Sequence, residues 1–98
     1  MKVNIDKRVK KILYSFSETD RARINKVVEL FTDKGFSLSE IYLKKLSKNI
    51  WELRPGRVRL LFGTIHGETI IVNIFVKKTT KAPLKEIRLA ESRLVGYL

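Results

Sequence analysis

Apolar residues change their spacing twice along this sequence, and that change constrains the fold more than any other feature. From residue 7 to residue 31 they recur three or four positions apart, as on one face of a helix. From residue 50 to residue 76 they alternate or run together, as in strands. The helical spacing returns beyond Pro83, at Leu84, Ile87, Ala90 and Leu94. The chain is therefore predicted to be α+β, with N-terminal helices, an antiparallel sheet meander and a C-terminal helix.

Two helices are expected before the sheet. Lys7–Phe16 carries apolar residues at helical spacing. Either Ser17 or Thr19 can cap a second helix, and Gly35 is a suitable residue to end it. Two shorter elements are predicted as well, a strand over Lys2–Ile5 and a helical turn over Ser39–Leu46.

Three strands are predicted in the second half, over Ile50–Arg54, Val58–Phe62 and Thr69–Val76. Pro55-Gly56 and His66-Gly67 are turn signals between them. We expect the helices to cover one face of this sheet and leave the other face polar and open. An open basic face would be a suitable platform for RNA.

The length and charge of the chain narrow the classes of function. Its 98 residues predict one domain over residues 1–98, and the absence of cysteine excludes disulfides and thiolate metal sites. No apolar run is long enough for a signal peptide or a membrane span, so we expect a cytoplasmic protein without a membrane partner. The 21 Lys and Arg against 10 Asp and Glu, a net charge of +11, favour a polyanionic partner. A basic protein with no such partner remains the alternative.

Basic residues concentrate in the predicted strands and at their ends, where only Glu52 and Glu68 oppose them. One interpretation is a solvated sheet face. The other is an anion site, because closely spaced arginines repel one another unless an anion lies between them. The planar guanidinium group also donates two parallel hydrogen bonds, which suits phosphate. The candidate residues are Lys48, Arg54, Arg57, Arg59, Lys77, Lys78 and Lys81.

Such a cluster could cleave RNA without a metal ion or other cofactor, because RNA carries its own nucleophile, the 2′-hydroxyl. Cleavage needs a base for that proton, cations around the phosphorane and an acid for the leaving oxygen. Glu52 is the carboxylate within the cluster, and it could be the base or could hold the arginines in place. His66, the single histidine, is expected to be an exposed turn residue. With no second histidine and no cysteine, a metal site is not predicted.

The second half of the sequence resembles the phage-derived, HigB-type branch of the RelE toxin superfamily. The resemblance rests on IWELR at Ile50–Arg54, Arg59 within VRLLF, FVKKTTKAP at Phe75–Pro83, and the following Glu86, Ile87 and Ala90. It implies a RelE-like microbial RNase fold and the toxin of a type II toxin–antitoxin system. It also implies metal-independent cleavage of mRNA in the ribosomal A site, leaving a cyclic phosphate. A helix-turn-helix antitoxin would be the cognate partner.

The resemblance also implies roles for individual residues. Arg54 and Arg59 match the strand arginines that hold the scissile phosphate, and Lys77-Lys78 matches the basic pair after the last strand. Together with Glu52 these form the predicted catalytic set, while Lys48, Arg57 and Lys81 are expected to bind RNA. Some members carry a Tyr or His after that basic pair, whereas Thr79–Leu84 offers neither, so the base and the acid stay open.

Two other functions fit the same charge. The first is a non-catalytic RNA- or ribosome-binding module that uses the same sheet face. The second is a DNA-binding accessory, which is less favoured because no predicted helix concentrates Arg, Asn and Gln as a recognition helix does.

Overall fold

Three α-helices and five strands make up residues 1–98 in the computed structural model. In chain order they are β1 (Val3–Ile5), α1 (Lys7–Leu13), α2 (Glu18–Lys34), β2 (Leu43–Lys45), β3 (Trp51–Leu53), β4 (Val58–Ile65), β5 (Glu68–Val76) and α3 (Leu84–Val95). A 3₁₀ turn at Gly35–Ser37 follows α2. The α+β prediction is confirmed.

The strands form one sheet in the order β1-β5-β4-β3-β2. Strands β3 to β5 are antiparallel neighbours, as predicted for a meander, and β2 extends them by antiparallel pairing with β3. Strand β1 pairs with β5 in parallel, which makes the sheet mixed. The tight turn between β4 and β5 contains His66 and Gly67, with φ angles of 51° and 78°. His66 is exposed there, which confirms its interpretation as a turn residue.

The N-terminal helices begin and end at capping residues. The Ser17 hydroxyl accepts the N–H of Asp20 at the start of α2, and Gly35, with a φ of 58°, follows its last residue. Both predicted ends of that helix are confirmed. Helix α1 is shorter than predicted and stops at Leu13, because the chain tightens into a turn in which the Ser15 N–H donates to the Ile12 carbonyl. No helix is long and apolar enough to cross a membrane.

The predicted helical turn over Ser39–Leu46 is confirmed only in its first half. The N–H groups of Tyr42 and Leu43 donate to the Ser39 carbonyl at 2.9 and 3.0 Å, but from Leu43 the chain continues as strand β2. Leu43 pairs with Leu53 of β3. Leu43 is buried, while the two lysines after it are exposed. A three-residue edge strand carries too short a pattern to be distinguished from a helical turn before its partner strand is known.

Alternate residues of the sheet belong to two different cores. On one face, Leu60 and Phe62 pack with α1 and α2, and on the other face, Leu61, Ile70 and Val72 pack with α3. The prediction that helices leave one face open is therefore wrong. Helix α3 covers half of that face, and it lies so close at Gly63 that an added Cβ would stand 2.3 Å from a methyl group of Leu94.

Asp6 joins the beginning of the chain to its end. Its buried carboxylate accepts the N–H of Arg8 at 2.8 Å and two bonds from the Arg8 guanidinium, at 2.8 and 2.9 Å. The Tyr97 hydroxyl, just beyond α3, donates to the same carboxylate. The hydrogen bonds from Arg8, opposed by burial and helped by Tyr97, hold the pKa of Asp6 far below its usual range.

Asp6→Asn should destabilise the protein by about 1–3 kcal/mol at pH 7, because the charged acceptor of these bonds is lost. A carboxyl whose folded-state pKa is depressed contributes its full stability above its ordinary pKa of 3.8 and loses that contribution as the pH falls. The difference in free energy of unfolding between parent and variant should therefore narrow below about pH 4. Urea unfolding at several pH values measures it, with exposed Asp33→Asn as the matched control. A difference that stays constant from pH 7 to pH 3 would contradict this role.

Candidate functional site

Polar side chains occupy the half of the α3 face that α3 does not cover. Glu52 of β3 lies directly opposite Lys44 of β2 on one side and Leu61 of β4 on the other. Arg59, two residues before Leu61, faces the same way because successive side chains of a strand alternate between faces. Glu52 and Arg59 are both buried, so this end of the sheet has a charged interior.

These strands and the segment leading into α3 enclose a cavity of about 220 Å³. Its lining residues are Lys44, Lys45, Leu46, Glu52, Arg54, Arg59, Lys77, Thr80, Lys81, Ala82 and Ile87. Five of the eight residues predicted for the site line this cavity, namely Glu52, Arg54, Arg59, Lys77 and Lys81. Four strands contribute charged residues from their bodies or ends, so the sheet fixes the relative positions of these groups.

Glu52 lies between two arginines. Its Oε1 is 3.4 Å from Nε of Arg54, and its Oε2 is 3.9 Å from Nε of Arg59. The side chains of Glu52 and Arg59 are only 5% and 8% exposed, whereas that of Arg54 is 27% exposed. Such charges interact more strongly than they would in water. One carboxylate cannot neutralise two guanidinium groups, so the cavity keeps an excess of positive charge.

The Arg59 guanidinium is held by the backbone as well as by Glu52. Its Nη1 donates to the carbonyls of Gly56 and Val58, at 2.8 and 2.9 Å. Burial lowers the pKa of Arg59, the Glu52 carboxylate opposes that shift, and the charge of Arg54 adds to it. An anion in the cavity would relieve both unfavourable effects.

The unused donors of these arginines indicate what the cavity can bind. Arg54 keeps Nε beside Glu52 and donates Nη1 to the Glu40 carbonyl at 3.4 Å, while Arg59 donates only through Nη1. A guanidinium has five N–H donors in a plane, so several remain for a ligand. A tetrahedral oxyanion such as phosphate can accept from both arginines at once. No cluster of three His, Cys, Asp or Glu side chains that could hold a metal ion is present.

Three predicted site residues lie outside this cavity. Arg57 turns towards α2, where it donates to Asp20. Lys48 lines a different cavity, of about 550 Å³, beside the C-terminal half of α3. Lys78 is exposed and follows Lys77 without lining the 220 Å³ cavity. The structure therefore groups the strand residues and separates the others.

The sequence did not point to Lys44, Lys45 or Thr80 as lining residues. The lysines were missed because β2 was interpreted as helical, although Lys44 faces Glu52 once β2 and β3 pair. Tyr97, just beyond α3, contacts Asp6 and does not line the cavity.

The three aromatic residues of the strands, Trp51, Phe62 and Phe75, pack in or against the cores. Trp51 packs on the α1 and α2 side, with its ring 4.8 Å from that of Phe36 and the Lys45 ammonium 5.6 Å from its centre. Phe75 packs on the α3 side.

The sequence and fold are similar to those of known proteins. Residues 11–95 match the family model "Phage derived protein Gp49-like (DUF891)". The fold is similar to RelE in the archaeal RelE–RelB complex from Pyrococcus horikoshii OT3, with a TM-score of 0.65, 15% identity, and 81% of this chain and 97% of that chain covered. It is also similar to the isolated E. coli RelE toxin, with a TM-score of 0.62, 14% identity, and 99% and 98% covered. The predicted RelE-like fold is confirmed. No curated protein sequence matches the chain.

Inorganic phosphate should stabilise the folded protein, because it can occupy the cavity between Arg54 and Arg59. A ligand at ten times its dissociation constant adds about 1.4 kcal/mol, which corresponds to several degrees in Tm for a domain of this size. Thermal unfolding in phosphate and in chloride of equal ionic strength measures the effect. Arg54→Gln should remove most of the difference, whereas Lys26→Gln, an exposed position on α2, should not. An equal shift in both variants would rule out the cavity as the binding site.

Proposed function

Because this chain belongs to the Gp49-like family of phage-derived proteins, which is of the RelE/HigB toxin type, we propose that it is the toxin of a type II toxin–antitoxin system. Its action is the cleavage of mRNA in the ribosomal A site. Residues 1–98 act as one domain in this proposal. The substrate is RNA because RNA supplies its own nucleophile, the 2′-hydroxyl, and the side chains of the cavity are mainly cations.

This proposal rests mainly on one observation: fixed positive charges exceed the single carboxylate of the cavity, that of Glu52. A surface that only attracts RNA needs exposed, mobile cations. Arg59 is instead 8% exposed and is hydrogen-bonded to two carbonyls, which fixes its orientation before any ligand arrives. Fixed donors stabilise charge that develops in a transition state, because they need no reorganisation when the reaction occurs.

The proposed reaction is an internal transfer at phosphorus. The Glu52 carboxylate accepts the proton of the 2′-hydroxyl, and the freed oxygen attacks the adjacent phosphorus. Arg54 and Arg59 hold the negative charge of the phosphorane. The bond from phosphorus to the 5′-oxygen breaks, and this oxygen takes a proton from the Lys77 ammonium. The products are a 2′,3′-cyclic phosphate and a 5′-hydroxyl.

Glu52 is suited to the role of base by its surroundings. Its carboxylate oxygens lie 3.4 Å from Nε of Arg54 and 3.9 Å from Nε of Arg59, so the proposed base stands beside the cations that would hold the phosphorane. The arginines supply the positive charge that a metal ion supplies in other nucleases, so the reaction needs no metal. Lys77 is half-buried at the end of β5 and lines the same cavity.

The remaining lysines guide the RNA towards this cavity. Lys81 lies on the exposed segment at its rim, and Lys78 is exposed beside Lys77. Lys48, beside the other cavity, contacts RNA or ribosome further from the reacting bond. Exposed cations of this kind add affinity that falls as salt rises, because RNA releases its counterions on binding.

A cognate antitoxin completes the proposed system. The archaeal RelE of similar fold is bound to RelB in its crystal structure. For this chain we propose a helix-turn-helix protein that neutralises the toxin by direct binding.

Arg59→Ala should lower the rate of single-turnover cleavage of mRNA on ribosomes by about 10²–10³, because a fixed donor to the phosphorane is lost. Lys81→Ala, at the exposed rim, should weaken ribosome affinity by about 1 kcal/mol and leave the rate at saturation nearly unchanged. The assay uses protein in excess over programmed ribosomes, and circular dichroism checks the fold of both variants. If folded Arg59→Ala cuts as fast as the parent protein at saturation, the proposed site is wrong.

A further inference from the structure

Arg57 lies in the turn between β3 and β4, but its guanidinium points away from the cavity. Its Nη2 donates to Oδ2 of Asp20 at 2.8 Å, and its Nε donates to the same oxygen at 3.3 Å. The Asp20 side chain is 7% exposed and lies in the first turn of α2, whereas that of Arg57 is 61% exposed. The hydrogen bonds from Arg57 lower the pKa of Asp20. An arginine predicted to bind RNA is thus committed to a buried carboxylate.

The same turn supplies the backbone atoms that hold two cations of the cavity. The Gly56 and Val58 carbonyls, on either side of Arg57, accept from Nη1 of Arg59. The carbonyl of Arg57 itself accepts the N–H of Lys77 at 2.8 Å. Movement of this turn would therefore shift the Arg59 guanidinium and the backbone of Lys77 together.

Within the turn, the Val58 N–H donates to the Pro55 carbonyl. Besides this backbone bond, the turn is held by Pro55, which is buried, and by the Arg23 side chain of α2, which packs against Gly56. Gly56 is exposed and has a φ of 58°, a conformation that glycine reaches without strain but that leaves its backbone freer than that of other residues.

The ion pair between Arg57 and Asp20 is the hydrogen-bonded side-chain link from the turn to α2, and its geometry is fixed at the buried Asp20 end. We propose that the pair of Asp20 and Arg57 is a positioning device, which fixes the β3–β4 turn so that Arg59 points correctly into the cavity. Arg57 is then a positioning residue and not an RNA ligand. The inference rests on the proposed function for its effect on cleavage, since it concerns the orientation of the group that would stabilise the phosphorane. A misplacement of about 1 Å at such a group can cost on the order of 10² in rate.

The two possible roles of Arg57 predict opposite effects of Asp20→Asn. If Arg57 binds RNA, removal of its buried partner frees its charge, and affinity for ribosomes should rise. If the pair positions the turn, this substitution should slow cleavage although it makes the protein more positive. Arg57→Gln should then behave like Asp20→Asn, because either change breaks the same link.

The experiment measures single-turnover cleavage on programmed ribosomes for Asp20→Asn, Arg57→Gln and the double variant. The charge-matched controls, at exposed positions of α2, are Asp33→Asn for Asp20→Asn and Lys26→Gln for Arg57→Gln. Each single variant should lower the rate at saturation by about 10- to 100-fold and change ribosome affinity by less than about two-fold. The double variant should be no worse than the singles, since both remove one link. Arg57→Lys, which keeps the charge, should restore part of the rate. Circular dichroism confirms that each variant is folded.

A second measurement needs neither RNA nor ribosomes. Phosphate-dependent thermal stabilisation should decrease in Asp20→Asn, because Arg59 is no longer oriented, although the loss of a negative charge alone would strengthen phosphate binding. Phosphate-dependent stabilisation of Asp20→Asn that is unchanged or larger than in the parent protein would overturn the inference. So would an Arg57→Gln variant that binds ribosomes more weakly but cleaves at the parent rate at saturation. If the parent protein does not cleave mRNA, the proposed function fails, while the phosphate measurement still decides whether the pair positions Arg59.

Discussion

The antiparallel pairing of β4 with β5 determines which side chains reach each layer of the molecule. Leu60 and Ile74 are paired on the face towards α1 and α2, while Leu61 and Asn73 are paired on the face towards α3. The register shifts after Leu61, so that Val72 is an extra residue on β5, and its carbonyl accepts from Arg93 of α3 at 2.9 Å. The amide of Asn73 donates to the Glu86 carbonyl at 3.1 Å. Residues at this irregularity therefore anchor α3 through hydrogen bonds near both of its ends, beside the cavity.

The buried positive charge beside α3 is unfavourable for the stability of the free protein, and it is also the basis of the proposed anion site. A buried arginine costs free energy unless it is paired, and Glu52 is shared between Arg54 and Arg59. Backbone carbonyls of the β3–β4 turn satisfy part of Arg59, and the pair of Asp20 and Arg57 ties that turn to α2. The remaining positive charge is available to a phosphate, and in the proposed function the phosphates of RNA would compensate the charge that is unfavourable in the free protein.

The spacing of apolar and charged residues along the chain predicted much of this fold and part of the site. The strand residues Glu52, Arg54 and Arg59 could be identified because alternation along one strand and a short turn place them together. The direction of Arg57 could not, because its partner Asp20 lies 37 positions earlier in the chain. Strand β2, and with it the position of its lysines, depends on pairing with β3, and the covered face depends on the close packing of α3. These features are set by contacts between distant segments, which residue spacing does not contain.

Cleavage of mRNA with a defined chemistry at the new ends is the most direct test of the central claim. Purified protein is mixed with ribosomes that carry an mRNA, and primer extension and end-group analysis then map the products. The account predicts new ends at the A site, with a 2′,3′-cyclic phosphate upstream and a 5′-hydroxyl downstream, and neither end when Arg54 and Arg59 are both replaced by Gln. Binding that protects the mRNA without creating new ends would contradict it and would identify a non-catalytic RNA-binding module.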